Sequence, residues 1–342
     1  MAVTIFDIAK KANVSFSTAS RVLNGENYGK RSDSLRRARK ILDIARAEGY
    51  QPNNAAQILA GKKSRNICLL VSDDVQSGWN NAYLNQILEG VEKTCEDLDY
   101  GLVLNNYRND DFESFFKRRK LVGRLFDGIV ITRFVTTHMS ELLRQHHVPF
   151  VSINRHFENK DNIPAYYTIG SGTDIIDYAY QRGHRKIGFI HYDKYPDIEH
   201  LRRHVKDNNL ADCKVIPLSL SVPSDLSSAP EVMARYFELP ADERPTLIAG
   251  NYQTTAILIK EMHKYGLSCP DDISLISNCD SEMCMVVSPE LTVITPDNRR
   301  IGENAARKLI DFLENKQEIG YDHCPFGNIL IERESVRTLS PQ

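Results

Sequence analysis

The hydrophobic pattern of this chain changes once, near Asn66, and that change constrains the fold more than any other feature of the sequence. Before Asn66, apolar residues recur at helical spacing. After it, short β-branched runs such as Ile67–Ser72 and Gly128–Thr132 alternate with amphipathic stretches such as Leu84–Leu98. The other predicted strands are Gly101–Asn105, Val148–Ile153, Lys186–His191, Thr246–Gly250 and Ile273–Ser277. Strands that alternate with helices predict parallel sheets, and roughly eight to ten of them predict two doubly wound units rather than one.

The charge of the chain divides at nearly the same place. Residues 1–65 carry 13 Lys and Arg against 5 Asp and Glu, a net charge of +8, which leaves −10 for the rest because the whole chain carries −2. A basic segment on an acidic body is typical of a polyanion-binding module joined to a domain that does not bind the polyanion. Charge alone leaves a solvated basic surface as an equal alternative.

The basic segment begins with two short helical patterns joined by a tight turn. Thr4 and Asp7 fit a capping box at the start of the first helix, and Asn13 stands in the turn, where it tolerates a positive φ. Ser15 fits the N-cap of a second helix that runs to Asn24. In a helix-turn-helix, that second helix lies in the major groove of DNA. The spacing alone also fits an ordinary helical hairpin.

Two more helical segments are predicted before the first strand. A third helix runs from about Ser32–Leu35 to about Glu48, after a loop that is long for such a module. Pro52 ends that pattern. Ala55–Ala60 then forms about two helical turns, which Gly61 stops.

The quoted segments resemble the LacI/GalR family of repressors. TIFDIAKKANVSFSTASRVLNG is similar to the opening of that family, as is the spacing onward to YQPNNAAQILAG. DGIVIT, VPFVSINR, QRGHRKIGFI, PDDISLIS and PELTVITPD fall where the family has related blocks, so the resemblance extends over essentially the whole chain. It implies a sequence-specific DNA-binding transcription regulator that is not an enzyme and needs no cofactor.

The resemblance also implies a domain organisation. A small all-α helix-turn-helix headpiece at 1–52 and a hinge helix with linker at 53–65 precede an α/β periplasmic-binding-protein-like effector and dimerisation domain at 66–342. That domain consists of two doubly wound subdomains. Subdomain one takes about 66–165 and 296–325, and subdomain two takes about 166–295 and 326–342.

Residues matching the family's DNA contacts fall in two groups. In the helix-turn-helix, the resemblance implies base contacts from Phe16, Ser17 and Arg21 and phosphate contacts from Thr4, Ser15, Ser20 and Asn24. In the hinge segment, it implies contacts from Asn53, Ala56, Gln57, Leu59 and Ala60. Leu59 matches a leucine that wedges between base steps in the minor groove and kinks the duplex. Two helical turns are too short to be stable alone, so we expect the hinge to order only on DNA.

Residues matching the family's effector cleft are less regular. The implied ligand contacts are Trp79, Tyr83, Arg155, Asn251, Tyr252 and Asp280. The family often carries Asn-Asp where this chain has Asn251-Tyr252, and the position that best matches a ligand-gripping Arg falls near Glu199. The resemblance implies a carbohydrate effector, with a galactoside as one candidate. A non-sugar metabolite, or a lost effector, is the alternative.

The same resemblance implies a cytoplasmic homodimer that represses a carbohydrate-utilisation operon and that associates with the nucleoid through double-stranded operator DNA. No apolar run reaches the roughly 18 residues of a membrane span, and no signal peptide is predicted, so no membrane partner is expected. The seven scattered cysteines contain no CxxC, which favours buried thiols over disulfides or zinc. No catalytic motif such as GxSxG, HExxH or a P-loop is found. His191, His200 and His204 are expected to be solvated.

Overall fold

The computed structural model describes residues 3–25, 32–51, 63–73, 78–108, 111–114, 125–132, 135–153, 165–167, 171–192, 197–210, 212–221, 226–315, 322–323 and 327–340. The chain divides into two compact units, Met1–Ser64 and Arg65–Gln342. The long loop predicted before the third helix, at about 26–30, and the hinge helix predicted at 55–60 lie outside the described residues.

The first unit contains three helices, as the periodicity predicts. They are α1 (Ile5–Ala12), α2 (Phe16–Leu23) and α3 (Ser32–Ala47). Their apolar faces meet in one small core, formed by Ile8, Ala12, Val22, Ala38, Ile41 and Ala45. The third helix starts within the predicted range and ends one residue before Glu48, so its predicted extent is confirmed.

The second unit contains two six-stranded sheets. The strands are β1 (Asn66–Ser72), β2 (Gly101–Tyr107), β3 (Gly128–Thr132), β4 (Phe150–Ile153), β5 (Ala165–Tyr167), β6 (Lys186–Tyr192), β7 (Lys214–Leu220), β8 (Leu247–Gly250), β9 (Ser274–Ser277), β10 (Thr292–Thr295), β11 (Asp322–His323) and β12 (Ile329–Ile331). The first sheet has the order β11-β5-β4-β3-β1-β2, and the second has the order β12-β10-β9-β8-β6-β7.

Helices flank both sheets of the second unit. They are α4 (Ala82–Asp97), α5 (Thr137–Gln145), α6 (Gly172–Gln181), α7 (Asp197–Asp207), α8 (Ala229–Glu238), α9 (Tyr252–His263), α10 (Glu282–Val286) and α11 (Asn298–Asn315), with a short 3-10 turn at Gly78–Asn80. Separate clusters of buried side chains line the two faces of each sheet. The predicted class, two doubly wound α/β halves, is confirmed.

The strand pairing is parallel with one exception among the described strands. β12 pairs antiparallel to β10, and every other described pair is parallel. The chain builds β1 to β5 in the first sheet and β6 to β10 in the second, and then returns to each sheet once, with β11 and β12. The two halves are therefore joined by three crossings of the chain.

Helices α4 and α11 pack with their backbones in close contact. A Cβ atom added at Gly90 would collide with the carbonyl oxygen of Arg299, and one added at Gly302 would collide with that of Ile87. Glycine at these two positions lets the helices approach closely. Because α4 follows β1, this contact fixes the start of α4 at the carboxyl-terminal edge of the first sheet, where ligands of open parallel sheets bind.

Candidate DNA-binding surface and effector cleft

Local hydrogen bonds at the helix ends hold α2 in position. The Thr4 hydroxyl and the Asp7 carboxylate form the predicted capping box, in which Asp7 accepts the Thr4 amide at 2.9 Å. Hydrogen bonds from Thr4 lower the pKa of Asp7. Asn13 adopts the left-handed conformation with φ of 55°, and the Ser15 hydroxyl accepts the amide of Thr18 at 3.2 Å. The three capping predictions are confirmed.

These caps turn one face of α2 into the core and the other into solvent. Ala19 and Val22 are buried, whereas Phe16 is 50% exposed and Ser17 and Arg21 are exposed. The outward face therefore offers a guanidinium fork, a hydroxyl and an aromatic ring. Guanidinium forks pair with guanine edges or phosphates, and an apolar ring can contact thymine methyl groups.

The hydroxyl and amide groups predicted to contact phosphate lie around this face. Thr4 and Ser15 occupy the N-caps of α1 and α2 and are both exposed. Ser20 and Asn24 are half-buried, and the Asn24 amide donates to the Ser20 hydroxyl at 3.1 Å. Helix N-termini attract phosphate because their first amides lack intrahelical partners and the helix dipole is positive there.

One aromatic residue of this surface was missed by the sequence analysis. Phe6 on α1 is 70% exposed, and its ring centroid lies 5.9 Å from that of Phe16. Phe6 stands out of phase with the buried positions of α1, Ile8 and Ala12. A large apolar residue out of phase with an amphipathic helix was the signal that could have identified it.

Helix α3 carries exposed basic side chains. Arg36 pairs with Asp33 at 3.2 Å, and Lys40 donates to the carbonyl oxygen of Ala12 at 3.4 Å, so these two side chains already have partners within the unit. Arg37 and Arg39 are exposed. Several side chains predicted to contact ligand or DNA lie outside the described residues: Asn53, Ala56, Gln57, Leu59, Ala60 and Arg155.

In the second unit, two predicted cleft residues, Tyr252 and Tyr83, contact both halves, and Asn251 lies next to Tyr252 in the chain. Asn251 follows β8 and caps α9, because its side-chain oxygen accepts the Thr254 amide at 2.8 Å. Tyr252 is only 6% exposed, and its hydroxyl accepts the amide of Ala82, the first residue of α4, at 3.1 Å. Tyr83 packs against the apolar cores of both halves.

The Asp280 carboxylate is engaged with the protein. It follows β9 and lies 3.0 Å from the guanidinium of Arg333, whose side chain is 10% exposed. Arg333 also donates to the carbonyl oxygen of Leu291 at 2.7 Å. The backbone carbonyl of Asp280 accepts the Gln86 side-chain amide of α4 at 2.9 Å. Asp280 therefore joins the C-terminal segment to the second sheet and also contacts the first half.

Gln86 and Asn298 were not predicted, although they complete this network. The Asn298 amide donates to the Gln86 side-chain oxygen at 3.0 Å, and Asn298 is buried at the start of α11. Trp79 lies in the 3-10 turn just before α4. Glu199 lies on α7, where its exposed carboxylate is 2.6 Å from Arg202. It is paired at the surface of that helix.

The titratable groups away from the cleft are structural. The expectation for His204 was wrong, because its side chain is 18% exposed and its Nε2 lies 2.8 Å from the Asp177 carboxylate. Burial lowers the pKa of His184, which contacts Thr246 and the Arg337 carbonyl oxygen, to about 4. Burial raises the pKa of the Cys68 and Cys279 thiols to about 12. All six cysteines among the described residues are free thiols.

Among the described residues, no group of His, Cys, Asp and Glu side chains is arranged to hold a metal ion. No helix there is long and apolar enough to cross a membrane.

Curated proteins similar to this chain match it over nearly its full length. The chain is 27% identical to catabolite control protein A of Priestia megaterium over 326 residues, 93% of this chain and 95% of that protein. It is 26% identical to the ribose operon repressor of Haemophilus influenzae over 340 residues, 98% of this chain and 99% of that protein.

Comparison with solved structures gives the same fold. The Lac repressor dimer bound to operator and the anti-inducer ONPF superposes with a TM-score of 0.78 at 19% identity, covering 98% of this chain and all of that one. The complex of the transcriptional regulator CelR with cellobiose superposes with a TM-score of 0.66 at 19% identity, covering 97% of this chain and 99% of that one.

Two family models match the chain, one in each unit. Residues 4–53 match the model of bacterial regulatory proteins of the lacI family, and residues 176–336 match the periplasmic binding protein-like domain. The first match spans the helix-turn-helix, and the second spans all six strands of the second sheet. The chain is therefore similar in its first unit to bacterial regulatory proteins of the lacI family, and in its second unit to the periplasmic binding protein-like domain.

Proposed function

We propose that the protein is a homodimeric repressor of a carbohydrate-utilisation operon, whose affinity for operator DNA is set by a sugar in the cleft of the second unit. One observation carries this proposal: a compact basic unit presents the exposed face of α2, with Phe16, Ser17 and Arg21 directed to solvent. Because operator DNA is the target, we place the protein in the cytoplasm.

The domain boundaries belong to the same proposal. The helix-turn-helix takes 1–52, the hinge and linker take 53–65, and the effector domain takes 66–342. The division of contacts after Ser64 supports the main boundary. The assignment of 66–165 with 296–325 to one half, and of 166–295 with 326–342 to the other, is supported by the return of β11 to the first sheet and of β12 to the second.

In the proposed complex, Arg21 reads a guanine edge and Phe16 contacts a thymine methyl group, with Phe6 beside it. Ser17 adds a hydroxyl at the same base edges. Thr4, Ser15, Ser20 and Asn24 contact phosphate, and the hinge residues Asn53, Ala56, Gln57, Leu59 and Ala60 bind the minor groove. The positive charge of residues 1–65 supports this assignment because phosphate neutralisation supplies most non-specific affinity.

The DNA-binding proposal is tested by selecting binding sequences from a random duplex library and titrating the best one. Arg21→Ala is expected to weaken binding by about tenfold or more, since a bidentate base contact contributes about 1–3 kcal/mol. Arg46→Ala is the matched control, because it removes an exposed arginine from α3. A library that enriches no sequence, or equal affinity of the parent and Arg21→Ala, contradicts the proposal.

The sugar assignment is supported by two similar proteins, one a ribose operon repressor and the other bound to cellobiose. We assign Tyr83, Asn251, Tyr252 and Asp280 to the sugar site, together with Trp79 and Arg155. Aromatic faces and amides suit sugar rings and hydroxyls. A galactoside remains one candidate among the sugars.

A thermal-shift screen against pentoses, hexoses, galactosides and cellobiose tests the sugar assignment. A bound ligand raises the melting temperature in a concentration-dependent way, since it stabilises only the folded state. No shift with any sugar contradicts the assignment. It would favour a non-sugar metabolite or a lost effector, an alternative supported by the engagement of Asp280 with Arg333 and of Tyr252 with Ala82.

A further inference from the structure

Tyr252 makes contacts within the protein that its proposed place in the sugar site does not explain. Its ring belongs to the apolar core of the second half, packed among residues of α8 and α9. Its hydroxyl leaves that core and accepts the backbone amide of Ala82, which belongs to the first half, at 3.1 Å. The two residues are 170 positions apart in the chain. One side chain therefore joins the two halves directly.

The amide that Tyr252 accepts has no partner within its own helix. Ala82 is the first residue of α4, and the first amides of a helix lack intrahelical acceptors. Asn81 caps the helix by accepting the amide of Leu84 at 3.3 Å. The acceptor for the Ala82 amide is the Tyr252 hydroxyl of the second half. Breaking the Tyr252 contact would leave a partly buried donor without this partner, which is unfavourable.

A second bridge lies one turn further along α4. The Gln86 side chain donates to the carbonyl oxygen of Asp280 in the second half at 2.9 Å and accepts from Asn298 at 3.0 Å. Between the two bridges, Tyr83 packs on both apolar cores. Three of the first five residues of α4 therefore contact the second half.

The start of α4 cannot move independently of the rest of the first half. Gly90 and Gly302 hold α4 and α11 in backbone contact, so α4 moves as part of that half. Similarly, Tyr252 begins a helix whose following residues are buried in the second half. Any change in the relative orientation of the halves must therefore break or rebuild the bond between Tyr252 and Ala82.

We propose that Tyr252 is a built-in latch, which holds the two halves of the second unit together through the Ala82 amide without any ligand. An effector that separates α4 from α9 must break this bond, so the latch sets how much binding free energy the effector has to supply. The latch itself does not depend on the identity of the effector, whereas its regulatory consequence rests on the proposed effector control.

The latch is tested by hydrogen–deuterium exchange of the full chain without sugar or DNA, with fragmentation that resolves the Ala82 amide in a peptide beginning at or before Asn80. Tyr252→Phe removes the hydroxyl and keeps the ring. We expect the Ala82 amide to exchange about tenfold faster or more, and the Thr254 amide, which Asn251 holds, to keep its rate. An unchanged rate at Ala82 overturns the proposal.

A matched control and a second variant keep the result interpretable. Tyr236→Phe removes a hydroxyl from another buried tyrosine of the same core, on α8, and should leave the Ala82 rate unchanged. If Tyr252→Phe does not fold, Ala82→Pro tests the same bond by removing the amide donor, because proline is tolerated at the first position of a helix and Asn81 before it is extended. A lower melting temperature of Ala82→Pro than of the parent supports the latch, and an equal or higher one overturns it. The absence of any sugar response in the thermal screen would not affect these rates.

Discussion

Asn13 sets the angle between α1 and α2 with a backbone φ of 55°. For most L-residues this left-handed conformation costs about 1–2 kcal/mol, because the Cβ atom approaches the following carbonyl oxygen. Glycine lacks the Cβ atom, and the asparagine side chain can form local hydrogen bonds, so these two residues adopt the conformation more readily. Asn13→Ala should therefore destabilise the helix-turn-helix by about 1 kcal/mol, and Asn13→Gly should not. The measurement is amide exchange across residues 5–23, which should quicken about fivefold in Asn13→Ala only. Equal rates in the two variants would show that the turn does not need this conformation.

His184 gives a second prediction for a single residue. Its pKa in the folded protein is about 4, below the ordinary value of 6.5, because burial disfavours the charged form. The unfolded chain therefore binds more protons between these values, and the stabilisation from neutral His184 is present above pH 6.5 and is lost as the pH falls toward 4.

The parent should consequently lose stability relative to His184→Gln as the pH falls from 7 to 5. Each unit of pKa shift corresponds to about 1.4 kcal/mol. Urea unfolding at several pH values provides the measurement, and His200→Gln, at an exposed position, controls for the loss of a histidine. A constant difference between the parent and His184→Gln across this range is the contrary result.

Sequence analysis identified residues whose partners are near in the sequence and missed contacts whose partners are far away in it. Thr4, Asn13 and Ser15 act through partners within four residues, so local patterns predict them. The partners of Tyr252 and Gln86 lie 170 and 194 positions away, and only the folded chain brings them together. The sequence analysis therefore placed Tyr252 at the cleft but did not predict its bond across it.

At the scale of elements, the close contact of α4 with α11 depends on two glycines. Gly302→Ala places a methyl group against the carbonyl oxygen of Ile87. The backbone of a packed helix can shift only slightly to relieve this clash. We expect a loss of about 1–3 kcal/mol in the free energy of unfolding, as for other overpacked cores. Thermal unfolding of the full chain measures it. Gly327→Ala is the control, because a Cβ atom added there would have no neighbour within 4 Å.

Most strands with buried apolar runs were predicted, although the buried β10 was missed. The largely exposed β2 was also predicted, whereas β7 and β12 were not. All five residues of β3 are buried, which makes their β-branched run conspicuous in the sequence. In β7, buried and exposed residues alternate around Pro217, and in β12 Ile329 and Leu330 are exposed. β12 is held by antiparallel pairing with β10, an interaction between distant segments that no local pattern reveals.

At the scale of the whole molecule, the proposed homodimer needs an apolar surface that is exposed in a single chain and that a second copy can cover. Val286 at the end of α10 is 79% exposed, and its neighbour Met285 is 50% exposed. Adjacent exposed apolar side chains of this size are typical of an interaction surface. We therefore predict that α10 contributes to the contact between two copies of the chain.

A charge placed in that contact should weaken it. In a two-fold dimer each substitution occurs on both copies, so Val286→Asp would introduce two carboxylates into one interface. We expect the dissociation constant measured by analytical ultracentrifugation to rise about tenfold or more, since burying an unpaired charge is costly. Leu226→Asp is the control, because Leu226 is also about half exposed but lies before α8. If Val286→Asp dimerises as tightly as the parent, α10 does not contribute to the dimer contact. If Leu226→Asp weakens the dimer equally, the loss comes from the added charge.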